Sequence, residues 1–388
     1  MMKPLERLLV LEFSQFMAAP TAGLRLADLG ARVIKIERPV KGEAGRQIAI
    51  RNIFVNGDSL VFHTINRNKE SYAADLKDPA DLESIKKLIS KADVITHNFR
   101  PGVMEKIGLD YEAVKAINPR VIYGVVTGYG SKGPWASLPG QDLLIQSLSG
   151  LAFLSDTSDA GPVPFGLATA DMICGAHFVQ GILAALIKRA KTDKGALVEV
   201  SLLESTLDLQ FEVITTFLND GGKLPQRSKI RGNGHAYLSA PYGIYKTSDT
   251  YLALAMGDLL HIAAVLDVDL PEKYRTKNAW FEFRDEIMQL LAAKLIHKTN
   301  DEWLRILEAE NIWCSAVLTY KESLQHQGYQ VLGMKQDVVL PDGSSLSTTR
   351  CPIRINGQKL YSSVAAPRPG AQTALIDQQF NLKEHETA

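Results

Sequence analysis

The chain is poor in cysteine: Cys174, Cys314 and Cys351 are the three it has in 388 residues, widely spaced and without a CxxC pair. That excludes a disulfide framework and a cysteine zinc site, and it fits a reducing, cytoplasmic setting. Eight histidines show no metal-ligand spacing, so no metal is expected. An excess of charge of either sign is lacking as well. The 43 basic and 43 acidic residues cancel, which removes the basic surplus on which a nucleic-acid binder relies. No uninterrupted apolar run approaches the roughly 20 residues of a membrane span. Residues 1–13, MMKPLERLLVLEF, carry charges inside their apolar stretch and do not read as a signal peptide. Neither a membrane nor a nucleic-acid partner is expected. The signatures GxxxxGK[ST], HExxH and GxSxG are absent, as are internal repeats and low-complexity tracts.

What is present is an ordinary globular composition, 46% hydrophobic and 22% charged. The length exceeds what one core fills, so two domains are expected. Residues 8–13 (LLVLEF), 31–37 (ARVIKIE), 92–99 (ADVITHNF) and 120–127 (RVIYGVVT) are short apolar runs suited to buried parallel strands. Residues 20–29, opened by Pro20 and stopped by Gly30, have helical spacing, as do residues 78–91, headed by Asp78 and Pro79. Strand and helix in alternation imply right-handed crossovers and a parallel sheet, the α/β class. Residues 227–237 (RSKIRGNGHAY) read as a linker and residues 242–255 as a hairpin. Helices near 258–267, 279–297 and 300–310 complete a smaller α+β unit. The division this predicts is a large domain of residues 1–225 and a small one of residues 226–329.

Two stretches point toward chemistry. Residues 128–133, GYGSKG, match GxGxxG by letter and follow a strand. A dinucleotide site also needs a helix opening there; Pro134, Trp135 and Pro139 follow instead, so a glycine turn at a strand's end is the better reading. Residues 168–181, ATADMICGAHFVQG, place Asp171 just before a long helix-periodic run. Asp at such a position is a favoured N-cap. The same place gives a carboxylate backbone N–H groups and a positive helix end, which keep it ionised as a nucleophile. Both readings of Asp171 stand on the residues alone. His177, six residues on, points about 240° around the helix axis and reads as a packed histidine rather than a partner.

The chain resembles the class III coenzyme A transferases, the carnitine-dehydratase-like family that also contains α-methylacyl-CoA racemases. The resemblance runs over nearly the whole chain. It is carried by LLVLEFS (8–14) with AAP (18–20), LGARVIKIER (29–38), NRNK (66–69), DLK (75–77), NFRPG (98–102) and NPRVIY (118–123). GYGSKGP (128–134), DLLIQSLSG (142–150), the stretch around Asp171 and GILAAL (181–186) continue it. The resemblance implies a Rossmann-like large domain to which residues 330–388 return, a smaller inserted domain, and an interlocked homodimer. It implies an acyl-CoA:carboxylate CoA-transferase, with coenzyme A as substrate and product and without metal or redox cofactor. Asp171 becomes the acyl-accepting aspartate. Arg38, Lys69, Lys77, Asn98, Phe99, Arg100 and Lys106 become coenzyme A contacts, with the Gly128 and Gly130 turn beside them as an oxyanion donor. Racemase relatives carry a proton-shuttling His where this chain has Gln141, before Asp142 and 30 residues ahead of Asp171. Gln cannot exchange a proton at neutral pH, so Gln141 fits an orienting role in transfer. Met17 replaces a Gln of some oxalate-using relatives, and their tetraglycine loop is missing near residues 230–260. A 2-methylacyl-CoA racemase and a silent CoA-binding protein are the alternatives.

Overall fold

The computed structural model describes residues 3–383. The apolar runs form a six-stranded sheet of β1 (Leu9–Glu12), β2 (Arg32–Glu37), β3 (Glu70–Ala73), β4 (Val94–His97), β5 (Ile122–Thr127) and β6 (Ala196–Ser201). The order is β3-β2-β1-β4-β5-β6 and every pairing is parallel. β1 and β4 are buried at all four positions, as strands covered on both faces must be. Their side chains alternate between two cores. Val10, Val33, Val94 and Ile122 point to one, beside α1 (Ala18–Asp28). Leu11, Ile34, Ile95 and Tyr123 point to the other, beside α2 (Pro79–Ile89) and α3 (Tyr111–Ile117). The strand order reverses between β1 and β4, and ligands of open α/β sheets bind in the crevice at such carboxyl ends.

The short helix α4 (Asp142–Leu148) precedes the longest one, α5 (Thr169–Thr192), and α6 (Leu202–Leu209) follows β6. A window of α5 has mean hydropathy 1.6 with at most two charges. By length and composition this helix could cross a membrane, although His177 and Gln180 interrupt its apolar run. The apolarity has a local use, because Cys174, Phe178, Val179 and Ile182 are buried in the first core. At Gly175 a Cβ would lie 2.7 Å from the Ala18 carbonyl oxygen. Glycine there lets α5 reach the head of α1.

Chain contacts divide the protein at other points than the sequence suggests. The sheet-bearing unit comprises Met1–Ile145, Ala168–Leu209 and Leu332–Ala388; the second comprises Gln146–Leu167 and Gln210–Val331. In the first, the returning segment packs α7 (Thr373–Phe380) on β3: Tyr72 donates to Asp377 at 2.7 Å, and Ser71 N to Gln372 Oε1 at 2.8 Å. The second unit holds an antiparallel sheet of β7 (Gly243–Lys246), β8 (Tyr251–Leu254) and β9 (Cys314–Ala316). The expected helix at 279–297 is two helices, Lys277–Glu282 and Arg284–Leu295, interrupted at Phe283. Residues 227–237 are not a free linker. Ser228 Oγ and Lys229 N bond Asp285 at 2.6 and 2.9 Å, and Arg227 reaches the Ser155 carbonyl at 2.7 Å.

Beneath the carboxyl ends of β1 and β2 lies a buried ionic cluster. The side chains of Glu12, Lys35 and Lys69 have no exposed surface. Lys35 Nζ contacts Glu12 and Glu43 at 3.0 Å each and donates to the Ser14 carbonyl at 2.7 Å. Lys69 Nζ meets Glu12, the Pro20 carbonyl and Asn66 Oδ1 at 2.9 Å each. Burial disfavours both ammonium groups. For Lys35 the surrounding Glu43, Glu12 and Glu37 outweigh it and hold its pKa above the ordinary value. For Lys69 burial prevails over Glu12, and its pKa is pushed down to about 8. Removing one member of such a set strands the others as uncompensated charges. Glu12→Gln is expected to destabilise the protein by about 3–5 kcal/mol, seen as a lower urea midpoint at unchanged slope. An unmoved midpoint is inconsistent with a tightly coupled cluster.

Candidate active site

The candidate site lies in the sheet-bearing unit, at the head of α5. The first helical residues are Thr169, Ala170 and Asp171, with Ala168 at the N-cap and no cap from its side chain. Asp171 is thus the third helical residue, which corrects the N-cap reading. Its backbone N–H is one of the donors that a helix leaves without an internal partner. That N–H donates to Asp142 Oδ2 at 3.1 Å. The cap is therefore supplied from α4, 29 residues away in sequence. In the sequence only the spacing to Asp171 singles out Asp142, since a cap from another element leaves no local signature.

The glycines explain how α4 arrives there. A Cβ on Gly140 would lie 2.6 Å from Gly128 Cα, and one on Gly128 would lie 2.8 Å from Gly140 Cα. The loop after β5 therefore closes on itself and returns the chain to Gln141 and Asp142. Gly128 O accepts from Leu203 N at 3.0 Å, which ties the turn to α6. Gly130 has φ +86, and its N–H donates to Thr127 Oγ1 at 2.9 Å. The oxyanion role expected of the Gly130 amide is corrected: that donor is already engaged. Gln141 is exposed, and its carbonyl accepts from Ile145 N at 3.0 Å.

The Asp171 carboxyl is half-buried, and burial pushes its pKa up to about 6, with the neighbouring Asp142 charge adding to the rise. The group is still ionised at neutral pH, as expected, but gives up its proton less readily than an ordinary Asp. Desolvation and a like charge outweigh the dipole. Nearby, burial also pushes the Cys174 thiol up to about 12. His177 pairs with Asp208 at 3.2 Å rather than with Asp171.

The expected coenzyme A contacts divide in two. Arg38, Lys77, Asn98, Phe99 and Arg100 follow the carboxyl ends of β2, β3 and β4, with Arg38, Lys77 and Arg100 exposed. Lys106 is exposed at the end of the one-turn helix Val103–Lys106. Asn98 serves the scaffold too: its amide accepts from Gln15 N at 2.8 Å and donates to Gln15 O at 2.7 Å. Lys69 differs. It sits in the buried cluster described above, its ammonium turned to Glu12, and presents no charge to a ligand. No sequence signal marks Phe16, which is half-exposed beyond β1 at φ +65, a rare conformation for an aromatic residue. Glu43 Oε2 accepts its N–H at 2.8 Å. Among the described residues no group of three or more His, Cys, Asp or Glu is placed to hold a metal ion.

A doubly wound sheet with basic residues along its carboxyl edge and a raised-pKa carboxyl at a helix head are features common at enzyme sites of α/β proteins. The comparisons specify the site further. Residues 5–373 match the model of CoA-transferase family III. The succinate–glutarate CoA-transferase of Agrobacterium fabrum is 31% identical, covering 96% of this chain and 94% of its own. The acetyl-CoA:oxalate CoA-transferase of Acetobacter aceti is 30% identical, covering 98% and 97%. The crystal structure of a CAIB/BAIF family protein from Brucella suis superposes with TM-score 0.84 at 32% identity, covering 98% of this chain and 100% of that one. The chain belongs to CoA-transferase family III and is a CoA-transferase.

The raised Asp171 carboxyl has a consequence for stability. The folded state holds this proton more tightly than the unfolded chain, so stability falls as pH rises from the unfolded pKa near 3.8 through about 6. A rise of this size corresponds to about 3 kcal/mol at neutral pH. Asp171→Asn is expected to raise the Tm at pH 8, with the advantage shrinking to nothing below about pH 4. A variant no more stable than the parent at pH 8 contradicts a desolvated, charge-crowded Asp171.

Proposed function

We propose that the protein moves coenzyme A from an acyl-CoA donor to a small dicarboxylic acid through covalent intermediates on Asp171. The observation that carries this reading is the Asp171 carboxyl, half-buried at the head of α5 with a pKa near 6. Such a group is ionised at neutral pH and more basic than an ordinary Asp, as a carboxylate nucleophile requires. Its oxygen attacks the donor thioester carbonyl; the C–S bond breaks and CoA leaves as the thiolate, giving an aspartyl anhydride. The thiolate attacks the aspartyl carbonyl and expels the donor acid, giving an aspartyl-CoA thioester. The acceptor carboxylate attacks that thioester, and the released thiolate then takes the acceptor acyl group and frees Asp171.

Gln141 orients the substrate carbonyl through its amide, and N–H groups at the α5 head and in the Gly128 turn, other than the engaged ones of Asp171 and Gly130, face the oxyanions. Arg38, Lys77, Asn98, Phe99, Arg100 and Lys106 hold the nucleotide and pantetheine. The relatives named for glutarate and oxalate support a dicarboxylate acceptor. Met17 and the missing tetraglycine loop favour the longer succinate or glutarate over oxalate. The active form is a homodimer in the cytoplasm. Exposed Phe211 (66%), Leu218 (71%) and Leu224 (75%) support an apolar partner face.

Turnover of succinyl-CoA with glutarate in the presence of hydroxylamine tests the covalent route. The peptide containing Asp171 is expected to appear as its hydroxamate. Transfer that proceeds while this peptide stays unmodified shows that Asp171 is not acylated.

A further inference from the structure

The head of α5 contains two carboxylates that ordinary helix capping does not require. One Asp at the N-cap would satisfy an orphan donor, yet Ala168 occupies that place without a side-chain bond. The acceptor comes instead from Asp142, brought by the Gly128–Gly140 contact so that its Oδ2 lies 3.1 Å from Asp171 N. A neutral Asn or Ser accepts an N–H equally well. The full negative charge is therefore surplus to the cap. It acts on the half-buried Asp171 carboxyl, where water screens little.

The charged side chains that α1 and α6 carry near this helix head have partners of their own. α1 meets it at Ala18 and Thr21, and its own Arg25 and Asp28 pair with each other at 2.9 Å. On α6, Glu204 accepts from Ser201 Oγ at 2.6 Å, and Asp208 pairs with His177. Glu199 of β6 is exposed.

We propose that Asp142 is a positioning residue that drives acylation of Asp171, holding the nucleophile's backbone by its oxygen and destabilising the nucleophile's carboxylate by its charge. This rests on the covalent role proposed for Asp171. The two charges repel while Asp171 is a carboxylate. When Asp171 attacks the thioester, its negative charge leaves with the CoA thiolate, and the anhydride that remains is neutral. The aspartyl-CoA thioester is neutral too. Protonation and acylation both remove the same charge from beside Asp142, so the repulsion favours both by the same factor. The direction agrees with the Asp142 contribution to the raised Asp171 pKa.

Asp142→Asn separates the cap from the charge, because the amide oxygen still accepts the Asp171 N–H. The expected result is a folded variant in which the Asp171 midpoint, followed by carboxyl carbon-13 titration of the unliganded protein, falls by about one pH unit, as removal of an adjacent like charge gives. The acid limb of kcat/KM moves down equally, and the hydroxylamine-trapped fraction at pH 8 drops about tenfold, the same change expressed as an equilibrium. Asp142→Ala, which also loses the acceptor, is expected to lower the Tm in addition. An Asn variant whose titration midpoint and trapped fraction both match the parent overturns the proposal and leaves Asp142 as a cap alone. A midpoint that falls while the parent protein itself yields no Asp171 hydroxamate places the fault in the covalent reading instead.

Discussion

The head of α5 is finished by a side chain from outside the helix, and the candidate site is arranged around that one hydrogen bond. Asp142 can reach the Asp171 N–H only because Gly128 and Gly140 let two backbone segments touch. α5 in turn sits where it does because Gly175 admits the Ala18 carbonyl. Each of these contacts would be obstructed by a single Cβ. The glycines matter here for close approach; neither Gly128 nor Gly140 has positive φ. A carboxylate pair is the outcome; it opposes stability and, in the proposed mechanism, serves chemistry, the kind of trade a protein makes at a working site.

A second constraint lies under the crevice. Lys35 ties Glu12 to Glu43 and to the Ser14 carbonyl, and Glu43 holds the N–H of Phe16. Asn98 binds the intervening Gln15 on both sides of its peptide. The segment that leaves β1 at the strand-order reversal is therefore fixed at Ser14, Gln15 and Phe16 in succession. Fixing it accounts for the left-handed backbone at Phe16, which an unrestrained aromatic residue would avoid. Buried ion pairs are weak sources of net stability; their value here is geometric.

The parallel sheet was legible because its strands are doubly buried and read as unbroken apolar runs, and because Pro and Asp mark the helix starts between them. α5 was legible from its period. What failed did so for identifiable reasons. Lys69 matches a binding position by motif, yet no local pattern says that Glu12, 57 residues away, faces it inside the core. The pKa of Asp171 depends on burial and on Asp142, both products of tertiary structure, whereas the dipole argument sees only the helix to which the residue belongs. The linker reading of residues 227–237 mistook glycine and charge for freedom; Asp285 supplies partners that only the folded unit brings near.

If Asp171 acts as proposed, the same electrostatics bear on why an aspartate, an ordinarily weak nucleophile, suits an exchange between two acids. An anhydride lies well above a carboxylate and a thioester in free energy. A carboxylate stabilised by a helix head alone would deepen that gap and slow every step that leaves it. Raising the free carboxylate, by burial and by Asp142, narrows the gap without any added contact to the substrate, so the whole effect appears in the conversion of bound reactants rather than in their binding. In the proposed mechanism Gln141, beside Asp142, offers a neutral amide next to the charged pair, a dipole without a proton that could quench the nucleophile. In the proposed mechanism the site is therefore built to keep charge close and protons scarce, which is the requirement of acyl exchange and the opposite of what racemisation at a carbon centre would need.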